Sequence, residues 1–445
     1  MSTMANQPFK VLVIGGGPTG LTAAHALHLA NIDFVVLERR DDVIVDVGAS
    51  LILGAHAMRI MQQLGLLDKL LSIGQRVLNN KSFTKDGKKF ADGTSVQIVK
   101  ENFGLEPIAF HRAELVQALL EGLPEEARKK YYVGQKVVDI ATTETGVVVT
   151  CANGRTFTGS MVLGADGLHS QTRKIMHKLS AEDRFSACRN PEPPFSAHYR
   201  CLWSNTPRPC AAGLGNNTQG KDRSLMWITG RERAWLLLYE KLPEPTQEPK
   251  RYTKEEMDEF AASFADWPVN DDLKVKDIYD SSTAGMSNLD EGVLDHWSLG
   301  RIVLAGDACH KFTPNAGLGF TNGIQDVALL CNLLHNATKS SAGSDISFDA
   351  LQQIFQEYQS SRKEPTAFDF GVSAAATRSH AWATPIYWFV GRFIYPLYAF
   401  QWLLMKYVVA PRMKQSRVLD YVFGEDRIQG RTPWAYPIHT KGKEL

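Results

Sequence analysis

Apolar and polar positions divide the chain into short, distinct stretches. Lys10 to Gly15 is a compact apolar run ending in glycines, the pattern of a strand buried on both faces. Leu21, Ala24, Leu27 and Ala30 then recur at helical spacing, and Phe34–Leu37 is a second apolar strand closed by Glu38. A βαβ unit is predicted at the start. Ala55–Leu71 and Ala113–Leu123 repeat the helical period. Lys85-Asp86-Gly87-Lys88 reads as a hairpin turn between half-polar segments. From Tyr131 to Phe157 the positions alternate as in a β-meander, with a tight turn at Ala152-Asn153-Gly154, and Ser160–Gly164 returns to a buried strand.

After Arg173 the texture changes. Ser186–Asp290 is rich in Pro and Trp, carries strand-like runs at Leu225–Ile228 and Ala234–Leu238, and reads as an inserted sheet domain. Within it Thr253 and Glu256 form a capping box ahead of Phe260 and Phe264, predicting one helix. Arg301–Ala305 goes back to the parallel sheet, and a glycine-rich loop leads into a helix through Leu333. The remainder is aromatic and basic, and is predicted helical.

Composition narrows the classes. A chain of 445 residues with 44% hydrophobic and 22% charged residues is expected to fold as more than one domain. A net charge of +1 argues against a dedicated nucleic-acid binder. Cys151, Cys188, Cys201, Cys210, Cys309 and Cys331 form no CxxC pair and are read as reduced thiols of an intracellular protein. The N-terminus lacks the apolar core of a signal peptide, so none is expected.

Four segments carry the chemistry. Gly15-Gly16-Gly17-Pro18-Thr19-Gly20 sets GxGxxG between strand and helix. Gly15 permits the turn, Gly17 lets backbone approach a pyrophosphate, and Gly20 lets helix and strand pack closely. The helix N-terminus offers N–H groups to phosphate, and Glu38 is placed to take ribose hydroxyls. Next come His111-Arg112 and the run Gly164-Ala165-Asp166-Gly167 with Ser170 and Arg173. Last, Gly306-Asp307-Ala308-Cys309-His310 leads into Pro314, Gly317, Gly319, Asn322 and Asp326. No His, Cys or carboxylate stands at ligand spacing around His111 or His310, which are read as packing or hydrogen-bonding residues; no metal is expected.

Order and spacing of these segments resemble the flavoprotein monooxygenases typified by para-hydroxybenzoate hydroxylase. The resemblance implies an α/β fold: a Rossmann-like FAD-binding domain, an inserted mixed β-sheet substrate domain and a helical, hydrophobic C-terminal extension. It assigns 1–75, 106–185 and 296–370 to the FAD domain, 76–105 and 186–295 to the substrate domain, and 371–445 to the extension. It implies non-covalent FAD held by Gly15, Gly17, Gly20, Glu38, Ala49, Arg112 and Asp166. Asp307 would hold the ribityl chain, and Pro314, Gly317, Gly319 and Phe320 would face the isoalloxazine. NADPH would be a transient reductant without its own Rossmann domain, and O₂ the oxidant through a flavin C4a-hydroperoxide. Cys309 and Phe320 depart from the family pattern, which usually has Ala at both places.

Val45–Leu51, Phe110–Leu115 and His310–Val327 look most like the fungal FAD-dependent epoxidases of indole-diterpene and meroterpenoid pathways. That resemblance implies epoxidation of a farnesyl or geranylgeranyl double bond, with functional coupling to a terpene cyclase. An aromatic-ring hydroxylase and a polyprenyl-acting flavoprotein reductase are the alternatives. Arg200 and Tyr239 are the catalytic candidates, Arg200 being equally readable as a solvated strand residue. Ala381–Val409 is dense in Trp and Tyr and is followed by Arg412, Lys414 and Arg417. A monotopic or hairpin anchor on a cytosol-facing membrane, with the endoplasmic reticulum as candidate, is expected there; a buried helix or oligomer interface is the alternative.

Overall fold

The computed structural model describes residues 8–44, 50–181, 189–340 and 345–440. Ala49, most of the Val45–Leu51 segment, Cys188 and the expected boundary between 185 and 186 lie outside the described residues. Two sheets organise the rest. The first runs Ser298–Leu299, Ile302–Leu304, Met161–Gly164, Lys10–Ile14, Asp33–Leu37, Tyr131–Tyr132, with all neighbours parallel except the first pair. Its central strands are apolar on both faces because helices cover both. The βαβ unit is present, with its helix at Pro18–Leu29. Four consecutive parallel strands therefore end side by side, at Gly15, Glu38, Ala165 and Ala305, on the edge where α/β sheets bind ligands.

The meander forms a separate three-stranded sheet at Val137–Thr142, Val147–Cys151 and Thr156–Gly159. The inserted domain is an eight-stranded sheet whose order is His310–Lys311, Gly285–Val293, Ser196–Pro207, Arg233–Thr246, Arg223–Thr229, Leu214–Gly220, Asn79–Thr84, Lys89–Gly93. One face packs Leu202, Trp227, Leu236 and Leu238 on Phe260 of the capped helix Lys254–Ala262 and on Phe264 just beyond its end; Thr253 and Glu256 form the expected box. The other face turns toward the parallel sheet.

Three of the expected domain assignments need correction. The substrate domain does not close at 295, because His310–Lys311 adds its edge strand. The 76–105 segment supplies two strands but ends in a helix, Ser95–Phe103. The boundary at 370 falls inside one helix, Phe348–His380, which runs unbroken through Pro365 for about 50 Å at 1.5 Å per residue. That helix ties the sheets together: Tyr358 Oη donates to Leu304 O (3.0 Å), and Arg378 pairs with Glu291 (2.5 Å).

Residues 415–440 are not helical, against expectation. They form a strap laid back over the first domain. Arg59, fully buried, donates from Nε to Asp426 Oδ2 (2.9 Å) and stacks on Trp434. Gln63 Nε2 donates to Leu419 O, and Tyr421 Oη donates to Ala26 O. Such a strap has no apolar period because its contacts are made residue by residue. Replacing Asp426 by Asn would leave the Arg59 charge buried without its counter-charge. We expect Asp426→Asn to lower stability by about 3–5 kcal/mol in urea titration. A change below about 1 kcal/mol would mean that solvent reaches this pair.

Candidate active site

The glycine loop shows why each glycine is there. Gly15 has φ +102°, and a Cβ on it would stand 2.5 Å from Ala165 O. A Cβ on Gly20 would meet Gly15 O at 1.9 Å, the close helix–strand approach that the sequence predicts. Gly17 is different: nothing lies within 4 Å of its Cβ position. Gly17 caps the helix Pro18–Leu29 without a side-chain cap, so the positive end of that helix faces open space. Glu38 Oε2 accepts from Gly16 N (2.8 Å), and Oε1 from Arg40 N (2.9 Å), fixing the carboxylate beside the loop.

A cavity of about 480 Å³ extends from this loop to the Pro314–Phe320 turn. Gly15, Gly17, Glu38, Arg112, Asp166 and Asp307 line it, as do Pro314, Gly317, Gly319 and Phe320. Separate stretches of sequence thus converge on one space. Gly20 packs behind it, and Ala49 is outside the described residues.

Charge is distributed along the cavity. Arg112 is mostly desolvated, and burial with neighbouring Arg40 pulls its pKa down, while Asp307 and Glu38 oppose that. Asp307 receives Lys311 Nζ at 2.5 Å. Asp166 lies on the wall, but its carboxylate serves the fold: Ser170 Oγ donates to Oδ1 (2.5 Å), and Thr172 N and Oγ1 donate to Oδ2. Burial raises the Asp290 carboxyl pKa, opposed by His169, Lys311 and Arg173.

Behind the wall lies a buried polar network. Asp326, fully buried, accepts from Gly306 N (2.9 Å) and Arg362 Nε (2.8 Å), with His310 Nε2 at 2.6 Å. Burial would raise its pKa, but His310 and Arg362 hold it down at about 2. Cys309, His310 and Asp326 bring potential ligand atoms within 4.8 Å of one another, a grouping that spacing did not suggest. The donors already on Asp326 account for it as a hydrogen-bond network. Burial also pushes the Cys309 thiol up, away from the thiolate a metal would need. His111 is likewise buried, with Trp235 Nε1 donating to its Nδ1 (3.4 Å).

Neither catalytic candidate reaches the cavity. Arg200 points to the opposite face of its strand, donates from Nε to Glu240 Oε2 (2.8 Å) and stacks on Phe260. Its neighbours Cys201 and Trp203 line the cavity instead. Tyr239 is on the cavity-facing side but fully buried behind the wall, opposite Cys201 in register. Sequence reading also missed Lys311, four residues after Asp307, and the wall residues Met226 and Leu237. Strand alternation was the available signal: Met226 and Leu237 lie inside the two predicted strands of the insertion.

A cavity with an uncapped helix N-terminus, an open glycine and carboxylates at successive strand ends fits a dinucleotide such as FAD. Comparison with known proteins gives the same answer. The family described as "FAD binding domain" matches residues 8–353. The FAD-dependent monooxygenase srdH of Neurospora crassa is 32% identical over 447 residues, covering 97% of this chain and 99% of that protein. The FAD-dependent monooxygenase ausM of Penicillium brasilianum is 31% identical over 394 residues, covering 87% and 82%. In fold, HpxO of Klebsiella pneumoniae, solved with FAD and uric acid, superposes with a TM-score of 0.67 over 91% of this chain and 95% of its own, at 18% identity. The chain belongs to the FAD binding domain family and is a FAD-dependent monooxygenase.

Proposed function

We propose that this monooxygenase epoxidises a prenyl double bond, on a farnesyl or geranylgeranyl chain, in a terpenoid or meroterpenoid intermediate of secondary metabolism. The observation that carries the reading is the wall beside the Pro314–Phe320 turn. There Trp203, Met226, Leu237, Leu289 and Phe312 join Phe320 in lining the cavity. Such a surface solvates hydrocarbon and excludes water.

The balanced reaction is alkene + O₂ + NADPH + H⁺ → epoxide + H₂O + NADP⁺. Bound FAD supplies the redox chemistry, passing two electrons from NADPH to O₂ so that one oxygen atom reaches the alkene. The protein positions and excludes. Gly17 and the helix behind it would receive the diphosphate, with Arg112 as counter-charge, and Glu38 would accept from ribose hydroxyls. Asp307 would accept from the ribityl hydroxyls, held in place by Lys311. The apolar wall would press the alkene toward the flavin, where electron-rich carbon needs orientation more than acid–base help. The product epoxide opens on protonation, which is why coupling to a terpene cyclase follows chemically.

Ring hydroxylation has one observation in its favour: Lys311 is a cation on the cavity wall that could hold a phenolate. Its ammonium is already paired with Asp307, so a phenolate would have to compete for it.

Gly17→Trp fills the open approach and should yield colourless, folded protein; a full visible flavin band on that variant would refute the diphosphate placement. Asp307→Ala should cost at least about 100-fold in product formation while circular dichroism is unchanged, because a small displacement of the ring is that expensive. Near-normal turnover would remove Asp307 from the site. NADPH and O₂ consumption should be coupled to product with prenylated aromatics or indoles and uncoupled with the same compounds lacking the isoprenoid tail. More efficient turnover of a short phenol would favour the hydroxylase, and NADPH oxidation with a prenyl substrate but no O₂ uptake would favour the reductase.

A further inference from the structure

The C-terminal helices are built inside out. Among the described residues, Ile386 is 75% exposed, Tyr407 63%, Tyr398 59% and Phe389 52%, whereas polar Gln401 is 5% exposed. Gln401 Nε2 donates to Tyr395 O (2.9 Å), and Thr94 Oγ1 donates to Gln401 Oε1 (2.9 Å). Arg392 stacks over Phe90, and a Cβ on Gly391 would stand 2.9 Å from Ser379 Oγ. One side of the helices is thus fastened to the body by specific contacts. The other presents large apolar and aromatic side chains to solvent, a clustering that monomeric soluble surfaces seldom show.

No single helix among the described residues is long and apolar enough to cross a membrane, but Pro385–Ile394 and Tyr398–Met413 form an apolar pair bent by 108°. Each arm is shorter than the roughly 20 residues that a spanning helix needs. Charge identifies the occupant. From Phe370 through Leu419 the sequence contains no Asp or Glu, while Arg392, Lys406, Arg412, Lys414 and Arg417 are cationic; Arg378, also in this stretch, is paired with Glu291. Lys406 stacks its ammonium near Trp402 (4.8 Å) and Tyr407 (5.1 Å), setting a cation among the exposed rings. Aromatic rings with polar tips, interleaved with cations on a segment that carries no acidic residue of its own, match the headgroup boundary of a negatively charged bilayer, with Asp92 and Glu101 of neighbouring elements beside Tyr398 at one edge.

We infer that the bent pair 385–413 docks the protein on anionic phospholipid, entering one leaflet without crossing it. Cytosol-facing leaflets carry such lipid. The inference does not depend on the substrate. Its test is flotation of the flavin-loaded full chain with phosphatidylcholine vesicles, with and without phosphatidylserine. The protein should float with the anionic vesicles, and less so as salt rises. Ile386→Ser/Phe389→Ser/Tyr407→Ser, changed only at exposed positions, should stay at the bottom while keeping its flavin spectrum. Lys406→Gln and Lys414→Gln should each weaken anionic-vesicle binding about 5-fold. Wild-type protein that floats with neither vesicle overturns the inference, as does a triple variant that floats equally well. A wild-type dimer that never floats, and that the triple variant converts to monomer, would give the face to a second copy of the chain instead.

Discussion

A single buried carboxylate positions much of the rest. Asp326 sits inside the helix Gly319–Ser340 with no solvent contact, and an ionised group there is tolerated only when its lone pairs are taken. Three parts of the chain supply the donors: the Gly306 amide, the His310 ring and the Arg362 guanidinium. The first stands at the end of a parallel strand, the second in the edge strand of the other sheet, the third on the long helix. Anchoring Gly306, at φ +63°, sends the following Asp307 outward to the cavity instead of inward to the core. The same network extends through Asn322, whose Oδ1 accepts from Arg362 and whose Nδ2 donates to Asp369. The turn that follows at Pro314–Phe320 is therefore held at both ends.

Around that hub, the two sheets divide the labour. The parallel sheet gathers strand ends, and brings the glycine loop, Glu38 and Asp307 to one side of the cavity. The large mixed sheet supplies side chains at a period of two, one set to its own helix and one to the cavity. Because the long helix contacts both, its polar contacts with Leu304 and Glu291 fix the distance between them. The cavity is thus a consequence of how two layers are spaced, not of any one loop.

What could be read from the sequence follows from this division. The glycine loop, Glu38 and Asp307 could be placed at the cavity because local backbone demands fix them there, a tight turn and two strand ends; Arg112 was placed by resemblance, and it lines the same cavity. The capping box at Thr253 was legible for the same reason. Arg200 was misread because its direction depends on register, and the pairing shifts between Ala197 and Tyr199, changing which face each later residue takes. Tyr239 has the right face but the wrong depth, a matter of packing that alternation does not encode. The strap at 415–440 and the partnership of Arg59 with Asp426 join residues far apart in sequence, and no periodicity announces such pairs.

Electrostatics then ties folding to cofactor. Arg112 is withdrawn from water with Arg40 beside it, a placement that penalises its charged form. Glu38 and Asp307 offset this only in part, because each is also engaged elsewhere: Glu38 by the Gly16 and Arg40 amides, Asp307 by Lys311. A diphosphate brought to Gly17 would add the missing negative charge next to an existing helix N-terminus. On the proposed placement, that charge would offset the desolvation of Arg112 and its repulsion by Arg40, and a ligand that binds only the folded state raises stability by mass action. Anion, helix end and buried guanidinium would then complement one another, and the turn that Asp326 holds would be left to set the ring.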